Sequence, residues 1–151
     1  MFSKPVPQRE ITRNSSALKF TSDTRGNLIA NNIFIVDSAK EIPVVKSAFA
    51  VDKNNLRNNL YWRSRGLAGF ELGEEKKLDF EAFQKRAGGR GGLCADPHLS
   101  AMSGKSLHLL SRSPAVGTGM IIPEIGESDF YGMRPRPALA PNIGCSLRLP
   151  V

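Results

Sequence analysis

The sequence predicts a largely irregular and extended chain around a small α+β core made of a short β-hairpin and short helices. Three observations carry that expectation. Leu, Ile, Val and Phe make up about a quarter of the 151 residues, above the ~20% below which a chain reads as disordered. The 14 Gly and 10 Pro are frequent enough to keep regular elements short. Periodic apolar segments are confined to residues 27–87, whereas six of the ten prolines fall from Pro114 onward. The expected organisation is an extended basic arm over 1–26, the α+β core over 27–87, a Gly-rich joint with a short helix over 88–112, and a Pro-rich extended tail over 113–151.

Residues 1–26 are polar and basic, with isolated apolar anchors at Phe2, Val6, Ile11, Leu18 and Phe20, a spacing that suits an arm laid across a surface. Residues 28–36 read as one strand with Ile29, Ile33 and Ile35 on a face. Residues 43–51 read as a second, with Val45, Phe49 and Val51 aligned, and the polar link 37–41 joins the two as a hairpin. Pro43 lacks a ladder donor, which places the second strand at an edge.

Residues 52–66 set Leu56 and Leu60 four apart, which predicts a short amphipathic helix ending at Gly66. Over 78–87 the helical signals agree with one another. Asp79 can cap the first turn, Phe80, Phe83 and Ala87 share a face, Glu81 stands four before Lys85, and Gly88 supplies the left-handed stop. The run GGRGGLCA over 88–95 is a flexible joint, and Asp96-Pro97 opens a helix expected to reach about Ser103. From residue 113 the hydrophobics are scattered without a period of 2 or 3.6, and no repeat of solenoid length is read along the chain. The expected core is Ile33, Ile35, Val45, Phe49, Leu60, Phe80 and Phe83.

Lys and Arg number 21 against 14 Asp and Glu, a net charge of +7 spread along the whole chain. A diffuse positive field favours anionic partners, whether RNA, DNA, phospholipid or an acidic protein surface, without choosing among them. Cys94 and Cys145 are too few for a disulfide scaffold, so an intracellular site, cytoplasmic or cytoskeletal, is expected, with a mitochondrial one left open. Pro5, Pro7 and Glu10 interrupt the amphipathic helix that a transit peptide needs. No apolar run approaches the ~18 residues that span a bilayer, so no membrane insertion is expected.

The motifs that carry chemistry fail at their second requirement. Gly104-Lys105-Ser106 ends like a phosphate-binding loop, but the first glycine of that motif falls on Leu99. Cys94, His98, His108 and Cys145 could ligate zinc, yet only Cys94 and His98 are close in sequence, where structural sites use close pairs. Carboxylates group at Glu74-Glu75 and at Glu124, Glu127 and Asp129, and acid-base work would need one of them desolvated, but Lys76 and Lys77 neutralise the first pair instead. The expectation is a non-enzyme without cofactor, metal site or small-molecule substrate.

Two clusters read as contact surfaces. Tyr61, Trp62, Arg63 and Arg65 combine the residue types enriched at protein hot spots, a mixture that also serves base stacking. Phe130 and Tyr131 precede Arg134 and Arg136, whose flanking prolines hold the backbone extended and splay the guanidinium groups toward an anionic surface. Arg90-Gly91-Gly92 is a single copy of an RNA-binding repeat that works by repetition. Together these predict a structural or accessory subunit of a large assembly, threading basic arms over an acidic protein lattice, with a microtubule as the leading instance. An RNA-binding extension protein of a ribosome-like particle is the alternative. A viral structural protein or a small enzyme stands further back. The tail from 113 is expected to bind the partner and to add little to the chain's own core.

Overall fold

The computed structural model describes residues 16–100, 107–123, 126, 128–129, 132–134 and 139–144. Strands dominate, with one helix among the described residues. The strands are β1 (Leu18–Phe20), β2 (Leu28–Ala30), β3 (Ile33–Val36), β4 (Val45–Ser47), β5 (Asn55–Arg57), β6 (Leu60–Arg63), β7 (Phe70–Leu72), β8 (Glu75–Leu78) and β9 (Leu93–Cys94), and α1 spans Phe80–Ala87.

The named strands pair in parallel, except where β7 turns back into β8. Leu18 lies beside Val45, Leu28 beside Asn55 and Ile33 beside Leu60. All three offsets are 27 residues, so the chain winds as a coil with three strands per turn. Three sheets result, ordered β1-β4-β7-β8, β2-β5 and β3-β6-β9. This is a short parallel β-solenoid, with coils beginning at Leu18, Val45 and Phe70. The absence of a repeat expected from the sequence is thereby corrected. The hairpin is corrected too, because β3 and β4 follow one another around the coil and do not pair.

The corners explain both misreadings. Asn31 and Asn58, 27 residues apart, have φ of 58° and 47°, and Gly91 takes the equivalent corner of the third coil at 65°. Asn is among the few residues that tolerate this left-handed region. The run 28–36 is therefore two strands meeting at a corner. The helix expected over 52–66 is replaced by β5 and β6, bent at the same place one coil later.

Side chains alternate between the two faces of each sheet. Inward, Phe20, Val36, Val45, Leu56, Tyr61, Phe70 and Leu72 form the first core with Phe83 and Ala87 of α1. The α1 helix forms as its sequence predicts, with the Asp79 carboxylate accepting from the Ala82 amide at 2.8 Å and Gly88 at φ 62° closing it. Its Phe83 stacks on Phe70, ring centroids 4.3 Å apart, and meets Tyr61 edge-on at 5.4 Å. The helix thus covers the apolar core at the third-coil end.

Outward, Leu60 is fully buried beneath Leu109, Ala115 and Ile143, with Ile33, Trp62, Leu93 and Leu99 packed around them. The expectation that residues from 113 add little to the core is corrected by this second cluster. Both faces of the β3-β6-β9 sheet are covered, which is why its strands read as continuous apolar runs. Val45, Leu60 and Phe83 are buried as expected. Ile33, Ile35 and Phe80 are only half-buried. Phe49 is 39% exposed because it follows β4 into the corner. No helix occurs over the described part of 96–103, where Leu99 instead bridges to Leu109.

Candidate functional site

The two ends of the solenoid differ. At one end Phe83 and Ala87 of α1 pack over the core of the third coil, with β8 and β9 as edge strands beside it. At the other, β1, β2 and β3 are all edge strands, and among the described residues no strand lies beyond them. Leu60 donates its amide to Asn32 O at 2.8 Å and Ser64 to Val36 O at 3.1 Å. The alternation of a parallel ladder then points the backbone groups of Phe34 and Val36 toward β6, and those of Ile33 and Ile35 toward the open edge. By the same alternation Leu28 and Ala30 face outward from β2, since Asn55 donates to Asn27 O.

Burial changes with position along the stack. Val45, Leu56 and Tyr61 of the second coil are 0%, 2% and 2% exposed. Their first-coil counterparts Leu18, Ile29 and Phe34 are only half-buried, and Leu28 beside them is 50% exposed. A cavity of ≈ 410 Å³ adjoins this edge, walled by residues 31–35 together with Leu99, Leu107, Leu109 and Gly144. Its lining is mostly aliphatic, with Asn31 and Asn32 at one side.

Asparagines tie the coils together. Asn59, 1% exposed, accepts the Asn32 amide at 3.0 Å and its Nδ2 at 3.1 Å, and donates to Ile29 O at 2.7 Å. Asn54 accepts Nδ2 of Asn27 at 2.9 Å and donates to Thr24 O at 2.8 Å. The corner pair does different work. Asn31 exchanges two bonds with the Met120 backbone at 2.8 and 2.9 Å, and Asn58 donates to Thr118 O at 2.8 Å. These bonds clamp the later segment onto the β3-β6-β9 sheet, where Gly144 donates to Asn31 O. A Cβ on Gly144 would come within 3.0 Å of Ile33. Sequence reasoning missed these residues, although the repeated run NLIANN over 27–32 and NNLRNN over 54–59 carries the signal.

The residues expected to form contact surfaces are placed differently from one another. Tyr61 lies at the centre of the aromatic core, and burial raises its phenol well above the ordinary value. Trp62 is half-buried and packs against the second core. Arg63 is half-buried and donates to Lys40 O at 2.6 Å. Arg65 and Arg134 are exposed. Phe130, Tyr131 and Arg136 lie outside the described residues.

Among the described residues no three of His, Cys, Asp and Glu cluster as metal ligands. Cys145 lies outside them, and Cys94 sits on the exposed end of β9, where what burial it has raises its thiol pKa and disfavours the thiolate. His98 stands 3.6 Å from Asp96. No helix among the described residues is long and apolar enough to cross a membrane. In comparisons with known proteins, no family model matches the chain, and no curated protein or solved structure is significantly similar to it.

Proposed function

We propose that this chain is a non-enzymatic structural subunit of a larger assembly, attached through the open face of its first coil and presenting a basic surface to acidic neighbours. The observation that carries the reading is the contrast between the two ends: α1 packs over the apolar core at one, whereas at the other the inward side chains of the first coil stay half-buried beside an apolar cavity. Exposed strand edges are a liability that proteins blunt unless they are used, and solenoids need their terminal coils capped. An edge with half-buried Leu18, Ile29 and Phe34 is suited to a partner.

The +7 surplus fits an acidic protein lattice, with a microtubule wall as the leading instance. Burial of Tyr61 in the first core takes one of the two stacking aromatics out of reach of a base, which favours the protein lattice over RNA. The test is native sizing of the chain in extracts of its own cells. Migration in a particle many times larger than 16.5 kDa is expected, and migration as a lone chain would contradict the reading. Loss of the large particle on ribonuclease treatment would return the RNA alternative to first place.

A further inference from the structure

We propose that the open face of the first coil seats a parallel coil donated by a second β-solenoid protein. This rests on the assembly reading above and names the chemistry of the partner. The seat continues, by one more step, the stacking that already joins the first coil to the second.

Three rows of side chains define what fits. On the outer face of the sheet, Leu93, Leu60 and Ile33 stack in register. The next place in that row falls in the ≈ 410 Å³ cavity overhung by Leu99 and Leu107, so the incoming strand brings an aliphatic residue there. On the inner face, Tyr61 and Phe34 stack at 5.5 Å, and a third apolar side chain completes the burial of Phe34. At the turn, Asn59 Oδ1 receives both the amide and Nδ2 of Asn32. Among the described residues nothing donates to Oδ1 of Asn32 or of Asn27, and an asparagine at each equivalent place of a parallel coil would do so.

The third-coil end lacks this feature. Gly92 stands where Asn59 stands one coil earlier, Gln84 of α1 donates to Gly92 O at 3.2 Å, and a Cβ there would lie 3.0 Å from Gln84 Nε2. The ladder therefore ends under the cap and is left unfinished at the open face.

Two other occupants fit less well. At the 27-residue offset of the first two coils, the chain's own earlier sequence would set Pro5 against Asn32 and Pro7 against Phe34. Pro5 has neither the amide nor the side chain that the ladder uses, and Pro7 has no N–H for Ile33 O. A second copy stacked head to tail would bring Gly92, with Gln84 bonded to its carbonyl, where the ladder calls for an asparagine opposite Asn32. Two first coils facing each other across a two-fold axis reverse the strand direction, which a ladder built for parallel stacking does not continue. Charge agrees with a coil partner, since residues 18–44 balance Lys19, Arg25 and Lys40 against Asp23, Asp37 and Glu41. Docking here is apolar and hydrogen-bonded, not ionic.

The probe is the full chain carrying a duplicate of residues 18–44 inserted between Ala17 and Leu18, so that one more coil of matching chemistry is supplied in place of the partner's. Amides of the original Ile33 and Ile35 are expected to exchange at least about 100-fold more slowly than in the parent. Unchanged exchange at these amides, with β6 and α1 still protected, would overturn the proposal. A second arm places a photo-crosslinking residue at Ile35 in the unmodified chain within its own cells. Cross-links to a coil of another protein with asparagines at its turns support the seat, whereas cross-links only to this chain's own residues 1–15 or to a second copy overturn it. A large native particle combined with an insert that stays unprotected removes the seat and leaves the assembly reading standing. A lone 16.5 kDa chain in extracts removes both.

Discussion

Asn59 joins two coils with one side chain, and its bonds are short-range consequences of where the corner falls. Replacing it by Ala leaves the Asn32 amide and the Ile29 carbonyl without their partner. Asn59→Ala should therefore cost about 2–3 kcal/mol, since each orphaned polar group forfeits its desolvation, measured by urea unfolding. Tyr61 makes a pH-dependent contribution. The unfolded chain loses the phenol proton near the ordinary value of 10.0, whereas the buried side chain keeps it. The folded state then holds more protons above pH 10, and stability falls as pH rises, by up to about 1.4 kcal/mol per pH unit. Tyr61→Phe cannot titrate, so its stability should decline less steeply above pH 10 in the same unfolding assay. At this scale the sequence was half legible. Tyr61 beside Trp62 and two arginines looks like a contact surface, because composition does not reveal that alternate residues of β6 enter different cores.

Among the elements, α1 is the one whose signals are all local. Its cap, its first-turn Glu81, its last-turn Lys85 and Arg86 and its αL stop lie within ten residues, and the sequence reading recovered all of them but Arg86. Asp79→Ala should cost about 1 kcal/mol and speed exchange of the Ala82 amide selectively, as followed by NMR. The strands were less legible, because their parallel partners lie 25 to 33 residues away and pairing is decided there. Leu56 and Leu60 are four apart, which suits a helix, yet both point into cores from two strands that meet at Asn58. Asparagine there is a corner residue, and a helical period is an accident of the turn.

For the whole molecule, the period that defines the fold is carried by asparagines more than by hydrophobics. A search for apolar rhythm passes over it. The later segment shows the same limit from the other side. Residues 109–116 and 143 have no period, yet Leu109, Ala115 and Ile143 cover Leu60 because Asn31 and Asn58 hold the backbone in place. Deleting residues 113–151 should therefore lower the thermal midpoint clearly, by differential scanning calorimetry, instead of leaving it unchanged as a loose tail would. That loss includes the cavity opened over Leu60, and uncovering one large core side chain alone is worth about 1.5–3 kcal/mol.

The stacking itself can be read from amide exchange along β3 in the isolated chain. A parallel ladder that is bonded to β6 on one side and open on the other predicts alternation, with the Phe34 and Val36 amides slow and those of Ile33 and Ile35 fast. Uniform protection across Ile33–Val36 would contradict an open first coil. Protection of Ile33 and Ile35 with Phe34 and Val36 fast would contradict the 27-residue register.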